Sequence, residues 1–175
     1  MRRVIIFLSF FAIAGMAYSQ SQQVKWYTIQ EAEKLMSQSF RPLFIDTYTD
    51  WCGWCKKMDQ DTFTNPVIAE ILNTKFYPVK FDAESKENVT FLGQTYMNDG
   101  KYGKAHQLAV ALLRNQLSYP TVVFFTKKDN GYGATPVAGF RQPKEMEILL
   151  SYFADKAYDT QTWEDYQKNF VGKVQ

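Results

Sequence analysis

The residues best suited to chemistry in this sequence are two cysteines, Cys52 and Cys55, separated by two positions. They are the only cysteines among 175 residues, and they lie in the run Trp-Cys-Gly-Trp-Cys-Lys-Lys that starts at Trp51. Three kinds of site use this spacing: half of a zinc site, a structural disulfide and a redox-active dithiol. Zinc needs about four ligands, and the chain offers only one histidine, His106, as a further good ligand. We therefore expect no metal site unless a partner completes it.

The position of the motif favours the redox-active dithiol. A structural bond across so short a loop stabilises a protein by only about 2 kcal/mol in the chain-entropy account. The stretch from Pro42 to Thr47 predicts a buried strand, and a helix should begin near Cys52. Free N–H groups and the helix dipole at such a helix start favour a thiolate and lower the pKa of a cysteine. We expect Cys52 to attack a substrate disulfide and the more buried Cys55 to resolve the mixed disulfide, with no cofactor besides the Cys52–Cys55 disulfide.

The elements that position the motif alternate between helices and strands. The predicted order is helix, strand, helix, helix, strand, helix, a strand pair and a helix, with an added amphipathic helix over residues 160–170. Residues 104–114 predict the helix before the strand pair, and residues 85–103 match no element. Strands that alternate with helices imply a parallel sheet covered on both faces, and the late strand pair adds antiparallel strands.

The composition excludes several broad classes of protein. The chain has 46% hydrophobic residues and 20 Lys and Arg against 18 Asp and Glu. So many apolar residues with so little net charge exclude a disordered chain, and two cysteines cannot hold together a disulfide-built scaffold of this size. Because there is no basic excess to neutralise phosphates, we expect no nucleic-acid partner.

The N-terminal residues predict export. Residues 1–3 include two arginines, residues 4–17 are nearly all apolar, and small residues at Ala17 and Ser19 suit cleavage by a signal peptidase. We expect residues 1–19 to be a signal peptide and residues 20–175 to form a single domain without stable membrane insertion. The apolar run of about 14 residues is shorter than the roughly 20 that span a bilayer, so an uncleaved anchor is the weaker alternative.

Four features in order resemble the thioredoxin-fold family. Asp46 stands six residues before Cys52, the motif has the form Trp-Cys-x-x-Cys-Lys, residues 79–82 (Val-Lys-Phe-Asp) end a strand, and residues 119–121 (Tyr-Pro-Thr) open another. Within the family, the chain resembles the C-terminal domain of the Dsb-system transmembrane thiol reductase and small stand-alone periplasmic thioredoxin-like proteins. The resemblance implies an α/β thioredoxin fold, with a central mixed sheet of four to five strands flanked by helices. It also implies an insertion within residues 84–118, before the cis-proline strand, and an extra C-terminal helix.

The resemblance also implies roles for individual residues. Asp46 would be a buried acid that relays the proton lost by Cys55, with Lys80 as the neighbour that moderates its pKa. A cis Tyr119–Pro120 bond would leave the backbone of Tyr119 free to pair with an extended substrate. The expected substrate-binding residues are Trp51, Gly53, Trp54, Tyr119 and Pro120. Common cytosolic thioredoxins have Gly-Pro between their cysteines where this chain has Gly53-Trp54, so a reduction potential does not carry over.

The function that the resemblance implies is that of an exported, periplasmic thiol-disulfide oxidoreductase, acting as a reductase or electron relay. Its partners would be protein thiols and disulfides, with a membrane thiol reductase as a candidate electron donor. Two alternatives stay open. One is a thioredoxin-fold binding or assembly module whose cysteines form a redox-sensitive latch. The other is delivery of reductant or metal during cytochrome or copper-site maturation.

Overall fold

The computed structural model of the protein describes residues 23–129 and 131–174. The predicted signal peptide, residues 1–19, lies outside the described residues. Within the described ranges, the helices are all too short or too polar to cross a membrane.

The helices and strands follow the predicted order, and a short hairpin is added before the fourth helix. The elements are α1 Ile29–Gln38, β1 Leu43–Tyr48, α2 Gly53–Asp61, α3 Pro66–Lys75, β2 Tyr77–Asp82, β3 Val89–Phe91, β4 Gln94–Tyr96, α4 Gln107–Leu112, β5 Thr121–Lys128, β6 Gly131–Ala138, α5 Pro143–Ala154 and α6 Trp163–Asn169. A 3-10 turn, Ala157–Asp159, joins α5 to α6.

Local side-chain hydrogen bonds set where several helices begin. At α1 the Thr28 hydroxyl accepts from the Glu31 N–H at 3.2 Å, and the Thr28 N–H donates to the Glu31 carboxylate at 2.8 Å. This reciprocal pair satisfies two donors that a helix start leaves unpaired. At α3 the Asn65 side chain accepts from the Val67 N–H at 3.0 Å, and Pro66 fills the first helical position.

The central sheet has four strands in the order β2-β1-β5-β6. β1 pairs with β2 in parallel, whereas the β1–β5 and β5–β6 pairs are antiparallel. The predicted mixed sheet flanked by helices is therefore confirmed. The parallel register sets Asp46 of β1 directly beside Lys80 of β2.

The sheet is buried on both faces, and alternate residues of the central strands divide between two cores. Leu43 and Ile45 of β1 belong to a core shared with α1 and α4. Phe44, between them, belongs to a second core shared with α2, α3 and α5. Because neighbouring strand residues point to opposite faces, an almost continuous apolar strand suits a sheet covered on both sides.

The region that matched no element in the sequence contains the β3–β4 hairpin. Its turn is made by Leu92 and Gly93, both with a left-handed backbone (φ 52° and 76°). A two-residue turn of this kind usually has Asn or Asp before the glycine, so a leucine there hides the hairpin from pattern analysis. α4 begins at Gln107, later than the predicted residue 104, because the buried His106 ring caps the helix by accepting from the Leu108 N–H at 3.0 Å.

Candidate active site

The two cysteines form a disulfide at the start of α2. Cys52 is the N-cap residue of α2, with an extended backbone, and its Sγ accepts from the Cys55 N–H at 3.1 Å. The sulfur of Cys52 is thus directed at the free N–H groups of the helix start. These groups and the helix dipole stabilise negative charge on a sulfur placed there once the disulfide is reduced.

The disulfide lies just beneath the protein surface. Cys52 is 4% exposed and Cys55 2% exposed, so the expected difference in burial is small and both residues are largely covered in this oxidised state. In contrast, the neighbouring Trp51 and Trp54 are largely exposed, with 65% and 59% of their surfaces accessible to solvent. Two large exposed aromatic side chains therefore flank a nearly enclosed disulfide.

Trp51 and Trp54, the direct sequence neighbours of the cysteines, each pack against a second aromatic ring. We call these four residues the aromatic rim: Trp51, Trp54, Tyr119 and Phe140. The Trp51 and Tyr119 ring centres are 6.0 Å apart in an edge-to-face arrangement. The Trp54 and Phe140 ring centres are 5.4 Å apart. The sequence indicated the first three residues as substrate-binding but gave no sign of Phe140, which comes from the loop after β6.

The Tyr119–Pro120 peptide bond is cis, and Pro120 is buried at the start of β5. The Pro120 carbonyl accepts from the Gly139 N–H at 2.8 Å, which connects this bond to the loop that holds Phe140. Gly139 has φ +95°, and a Cβ on it would lie 3.2 Å from a guanidinium nitrogen of Arg141. The conformation and the close approach both favour glycine at this position.

Asp46 is fully buried in the middle of β1 and pairs with the side chain of Lys80. The Lys80 Nζ donates to Asp46 Oδ2 at 2.6 Å. Burial raises the pKa of Asp46 from its usual 3.8 to about 6, although the nearby Lys80 ammonium acts in the opposite direction. The other oxygen, Asp46 Oδ1, is buried and has no hydrogen-bond partner among the described residues.

Lys80 makes a second ion pair, with Asp59 of α2, that the sequence analysis missed. Its Nζ also lies 5.1–5.3 Å from the ring centres of Trp26, Tyr48 and Phe63. Burial alone would lower the pKa of Lys80, but Asp46 and Asp59 outweigh it and the pKa is raised. Lys80 is therefore held as a cation between two carboxylates and three aromatic rings.

Asp59 links this ion pair to the face of α2 that carries the second cysteine. Asp59 lies four residues after Cys55, and residues with that spacing are neighbours on one face of a helix. The side chain of Asp59 is 43% exposed, whereas that of Asp46 is completely enclosed. Asp59, Lys80 and Asp46 thus form a continuous charged path from solvent to the buried carboxylate, which we call the carboxylate path. The spacing of four residues from Cys55 is the feature of the sequence that could have identified Asp59.

Gly53, the remaining predicted substrate-binding residue, is exposed at the first position of α2. A Cβ added there would meet nothing within 4 Å, so packing does not require glycine. In the described part of the chain, no three His, Cys, Asp or Glu side chains cluster in a way that could hold a metal ion.

Comparisons with known proteins place this arrangement in a family context. The profile of the family Thioredox_DsbH, described as a protein of unknown function, DUF255, matches residues 15–163. Spermatogenesis-associated protein 20 of Homo sapiens is 29% identical over 119 residues, which cover 67% of this chain and 15% of that protein. The thiol:disulfide interchange protein DsbD of Pectobacterium atrosepticum is 24% identical over 126 residues, which cover 72% of this chain and 19% of that protein. The chain thus spans less than a fifth of the length of these two relatives.

Solved structures show the fold. A thioredoxin from Thermus thermophilus has a TM-score of 0.56 at 16% identity, covering 86% of this chain and 99% of that one. A structure described as DsbH oxidoreductase has a TM-score of 0.53 at 16% identity, covering 87% of this chain and 95% of that one. The predicted thioredoxin fold is confirmed, and the Cys-x-x-Cys disulfide therefore belongs to a thioredoxin-like protein.

Proposed function

Because the chain belongs to the Thioredox_DsbH family, we propose that it is an exported thiol-disulfide oxidoreductase that reduces protein disulfides or relays electrons to them. The observation that carries the proposal is the position of Cys52, which caps α2 beside the aromatic rim and is bonded to Cys55. A cysteine at a helix start is stabilised as a thiolate, the species that attacks disulfides. Thiol-disulfide exchange is the chemistry that a thioredoxin-like Cys-x-x-Cys pair supports in general.

The exchange consists of two steps. In the reduced protein, the Cys52 thiolate attacks one sulfur of a substrate disulfide, and the other substrate sulfur leaves as a thiolate that takes up a proton. The Cys55 thiol then loses its proton and attacks the Cys52 sulfur, which releases the second substrate sulfur and forms the Cys52–Cys55 disulfide. Two electrons pass from the protein to the substrate, and the substrate disulfide becomes two thiols.

Asp46 is the group that we assign to the Cys55 proton. The pKa of Asp46 is raised to about 6. Near neutral pH the side chain can therefore accept a proton as a carboxylate and return it as an acid. Oδ1 is free of hydrogen bonds within the described residues, so it is the oxygen on which the proton would reside. Lys80 would stabilise the charged form of Asp46, whereas the Asp59 carboxylate disfavours it and would connect the pair to solvent through the carboxylate path.

We propose the direction of electron flow and the cellular location from the sequence. Export is proposed from residues 1–19, which have the pattern of a signal peptide. A role as a reductase or relay, with a membrane thiol reductase as electron donor, is proposed from the likeness to DsbD, a thiol:disulfide interchange protein. Protein substrates are proposed because the aromatic rim offers apolar surface beside the disulfide.

A redox-sensitive latch in a binding module is a second candidate, favoured by the small exposure of both cysteines. A latch would use the disulfide to hold the start of α2 and would not turn over substrates. In that case the aromatic rim would serve only as a binding surface.

Insulin reduction by dithiothreitol distinguishes the two candidates. We expect the wild-type protein to accelerate the reaction and Cys52→Ser to lower it to the uncatalysed rate. Reduced Cys55→Ser, mixed with insulin after dithiothreitol has been removed, should stop at a mixed disulfide with insulin. Ser37→Ala, an exposed position of α1, is the control and should behave as wild type. Full activity in Cys52→Ser would contradict the mechanism, and an inactive wild-type protein would favour the latch.

A further inference from the structure

A groove lies between β6, α5 and α6, outside the site described above. It has a volume of about 470 Å³ and is lined by ten residues. Most of the lining is apolar and comes from Val137 of β6, from Ile148, Leu149 and Tyr152 of α5, and from Trp163 of α6. Such a concave apolar surface favours apolar side chains of a ligand over water.

One end of the groove adjoins the aromatic rim. Arg141 lines this end, and the preceding residue, Phe140, packs against Trp54. The Arg141 side chain also lies over Gly139, whose N–H donates to the Pro120 carbonyl. The groove lining therefore includes the residue that follows Phe140 of the rim, on the same loop as Gly139, which is hydrogen-bonded to Pro120.

The polar groups at this end are fixed by the protein's own backbone. The Arg141 guanidinium donates to the carbonyls of Ala138 and Phe140, at 2.9 and 3.0 Å. The Glu145 carboxylate accepts from the Gln142 N–H at 3.1 Å. Arg141 and Glu145 therefore give the groove fixed polar groups, whereas the rest of its lining is mostly apolar. This combination suits a polypeptide segment that has a polar backbone and apolar side chains.

The size of the groove indicates how much polypeptide it can hold. Its lining on α5 runs from Glu145 to Phe153, which is about 12 Å along a helix that rises 1.5 Å per residue. An extended chain covers about 3.3 Å per residue, so roughly three to four residues fit. A stable dimer interface uses about 20–30 residues on each side, so ten lining residues suit a short segment better than a second copy of this chain.

We propose that this groove is a specificity subsite for polypeptide substrates of the disulfide, and that it binds apolar side chains a few residues from the substrate cysteine. The proposal rests on the proposed function, because it assigns a substrate class to that same site. The occupant is an extended segment of the substrate, which passes from the aromatic rim over Arg141 into the groove. Substrates with such a segment would react faster than substrates with a polar one.

The test compares two disulfide-linked peptides of about ten residues that share a cysteine and its immediate neighbours. One has leucines at alternate positions about three to six residues from the cysteine, and the other has serines there. Each peptide is made with these positions on either side of the cysteine, and the rate constant of its reduction by the fully reduced protein is measured. We expect the leucine peptide to react about tenfold faster with the wild-type protein, because one or two buried apolar groups give discrimination of this size.

Ile148→Ser tests the groove itself, and Ile71→Ser is the matched control. Both residues are half-buried isoleucines of helices, but Ile71 lies on α3 and does not line the groove. We expect Ile148→Ser to bring the rate ratio of the two peptides close to one while its rate with the serine peptide stays at the wild-type value. Ile71→Ser should keep the wild-type ratio.

The other results contradict either the subsite or the proposed function. Equal wild-type rates with both peptides would overturn the subsite but leave the proposed function intact, whereas no reaction with either peptide would contradict the proposed function. A ratio that Ile148→Ser leaves unchanged would also overturn the subsite. A concentration-dependent mass in sedimentation that Ile148→Ser abolishes, without any peptide preference, would make the groove a contact between two copies and overturn the proposal.

Discussion

At the scale of single residues, the unusual feature is a carboxyl group in the middle of an apolar strand. Burying a charged carboxylate is costly unless it is paired. Asp46 is fully buried, with one oxygen paired to Lys80 and the other without a partner in the part of the chain that the structure describes. The raised pKa expresses that cost, because burial disfavours the charged form more than Lys80 favours it. We propose that a carboxyl group in so unfavourable a place serves proton transfer.

The difference in stability between oxidised Asp46→Asn and the oxidised wild-type protein should change with pH, in favour of the variant as the pH rises. The pKa of Asp46 is raised on folding, so the folded protein binds the proton more tightly than the unfolded chain, and wild-type stability falls as the pH rises from about 4 through about 6. Asparagine does not titrate. We therefore expect the advantage of Asp46→Asn in the free energy of unfolding to grow by about 2–3 kcal/mol between pH 4 and pH 7, measured by urea denaturation.

The matched control for this experiment is Asp61→Asn, on the exposed end of α2. Asp61 forms an ion pair with Lys57 on the protein surface, where such pairs contribute little. The free energy of unfolding of Asp61→Asn, compared with that of the wild-type protein, should change little over the same pH range. An Asp46→Asn advantage that is constant with pH, or that shrinks as the pH rises, would contradict the assignment.

The sequence identified the residues that belong to motifs and missed those that only meet them in space. The Asp46–Lys80 pair followed from a family resemblance, and the parallel register of β1 and β2 sets the two residues side by side. Trp26 and Phe140 come from distant loops, and their ring contacts leave no periodic pattern in the sequence. Asp59 was accessible, since it follows Cys55 by one helical turn, but an acidic residue on a charged helix face is too common to single out.

At the scale of elements, the C-terminal residues form a segment that folds back on α5. We call residues 170–174 the strap. The buried Glu147 carboxylate accepts from the Lys173 N–H at 2.6 Å and from the Val174 N–H at 2.9 Å. Val174 is buried in the core on the α5 side of the sheet. The sequence predicted the helix before the strap but not the strap, because Glu147 resembles any polar helix residue until its backbone partners are known.

Gly172→Ala should loosen the strap. A Cβ at this position would clash with a Glu147 oxygen and lie 2.9 Å from a ring carbon of Phe170, so either the carboxylate or the strap must move. Gly172 is itself exposed, but the carboxylate that the Cβ would meet is buried, so we expect a loss of about 1–3 kcal/mol in the free energy of unfolding, the range for overpacking. Urea denaturation measures it, and faster hydrogen exchange at the Val174 amide would report the same change locally.

Val171→Ala provides the comparison in the same segment. Val171 is 92% exposed, so its truncation should change stability by less than about 0.5 kcal/mol. Gly172→Ala with wild-type stability and wild-type exchange at Val174 would show that the strap is not held by Glu147.

At the scale of the whole molecule, a sheet with two covered faces holds the disulfide at the end of its central strand. β1 lies between β2 and β5 and leads through a short loop into Cys52. The order of the elements could be predicted because helix and strand periodicities differ and several helix starts are marked by local caps. The β3–β4 hairpin could not, because its turn has a leucine at a position where the left-handed backbone usually selects a small polar residue or glycine.

The oxidised protein should be more stable than the reduced protein. A dithiol protein that acts as a reductant has a comparatively stable disulfide, whereas a strong oxidant owes its potential to a stabilised reduced form. We expect the free energy of unfolding to be about 2 kcal/mol or more higher in the oxidised state, measured by urea denaturation with and without reductant. A more stable reduced form would reverse the proposed direction and indicate an oxidase.

Trapping the mixed disulfide tests the central claim most directly. In Cys55→Ala the second step is removed, so the reduced variant mixed with a disulfide-bonded substrate should form a one-to-one adduct in which mass spectrometry finds the substrate bonded to Cys52. The variant that lacks both cysteines should form none. Failure of reduced Cys55→Ala to form an adduct, with the fold intact by circular dichroism, would contradict the assignment of Cys52 as the attacking residue.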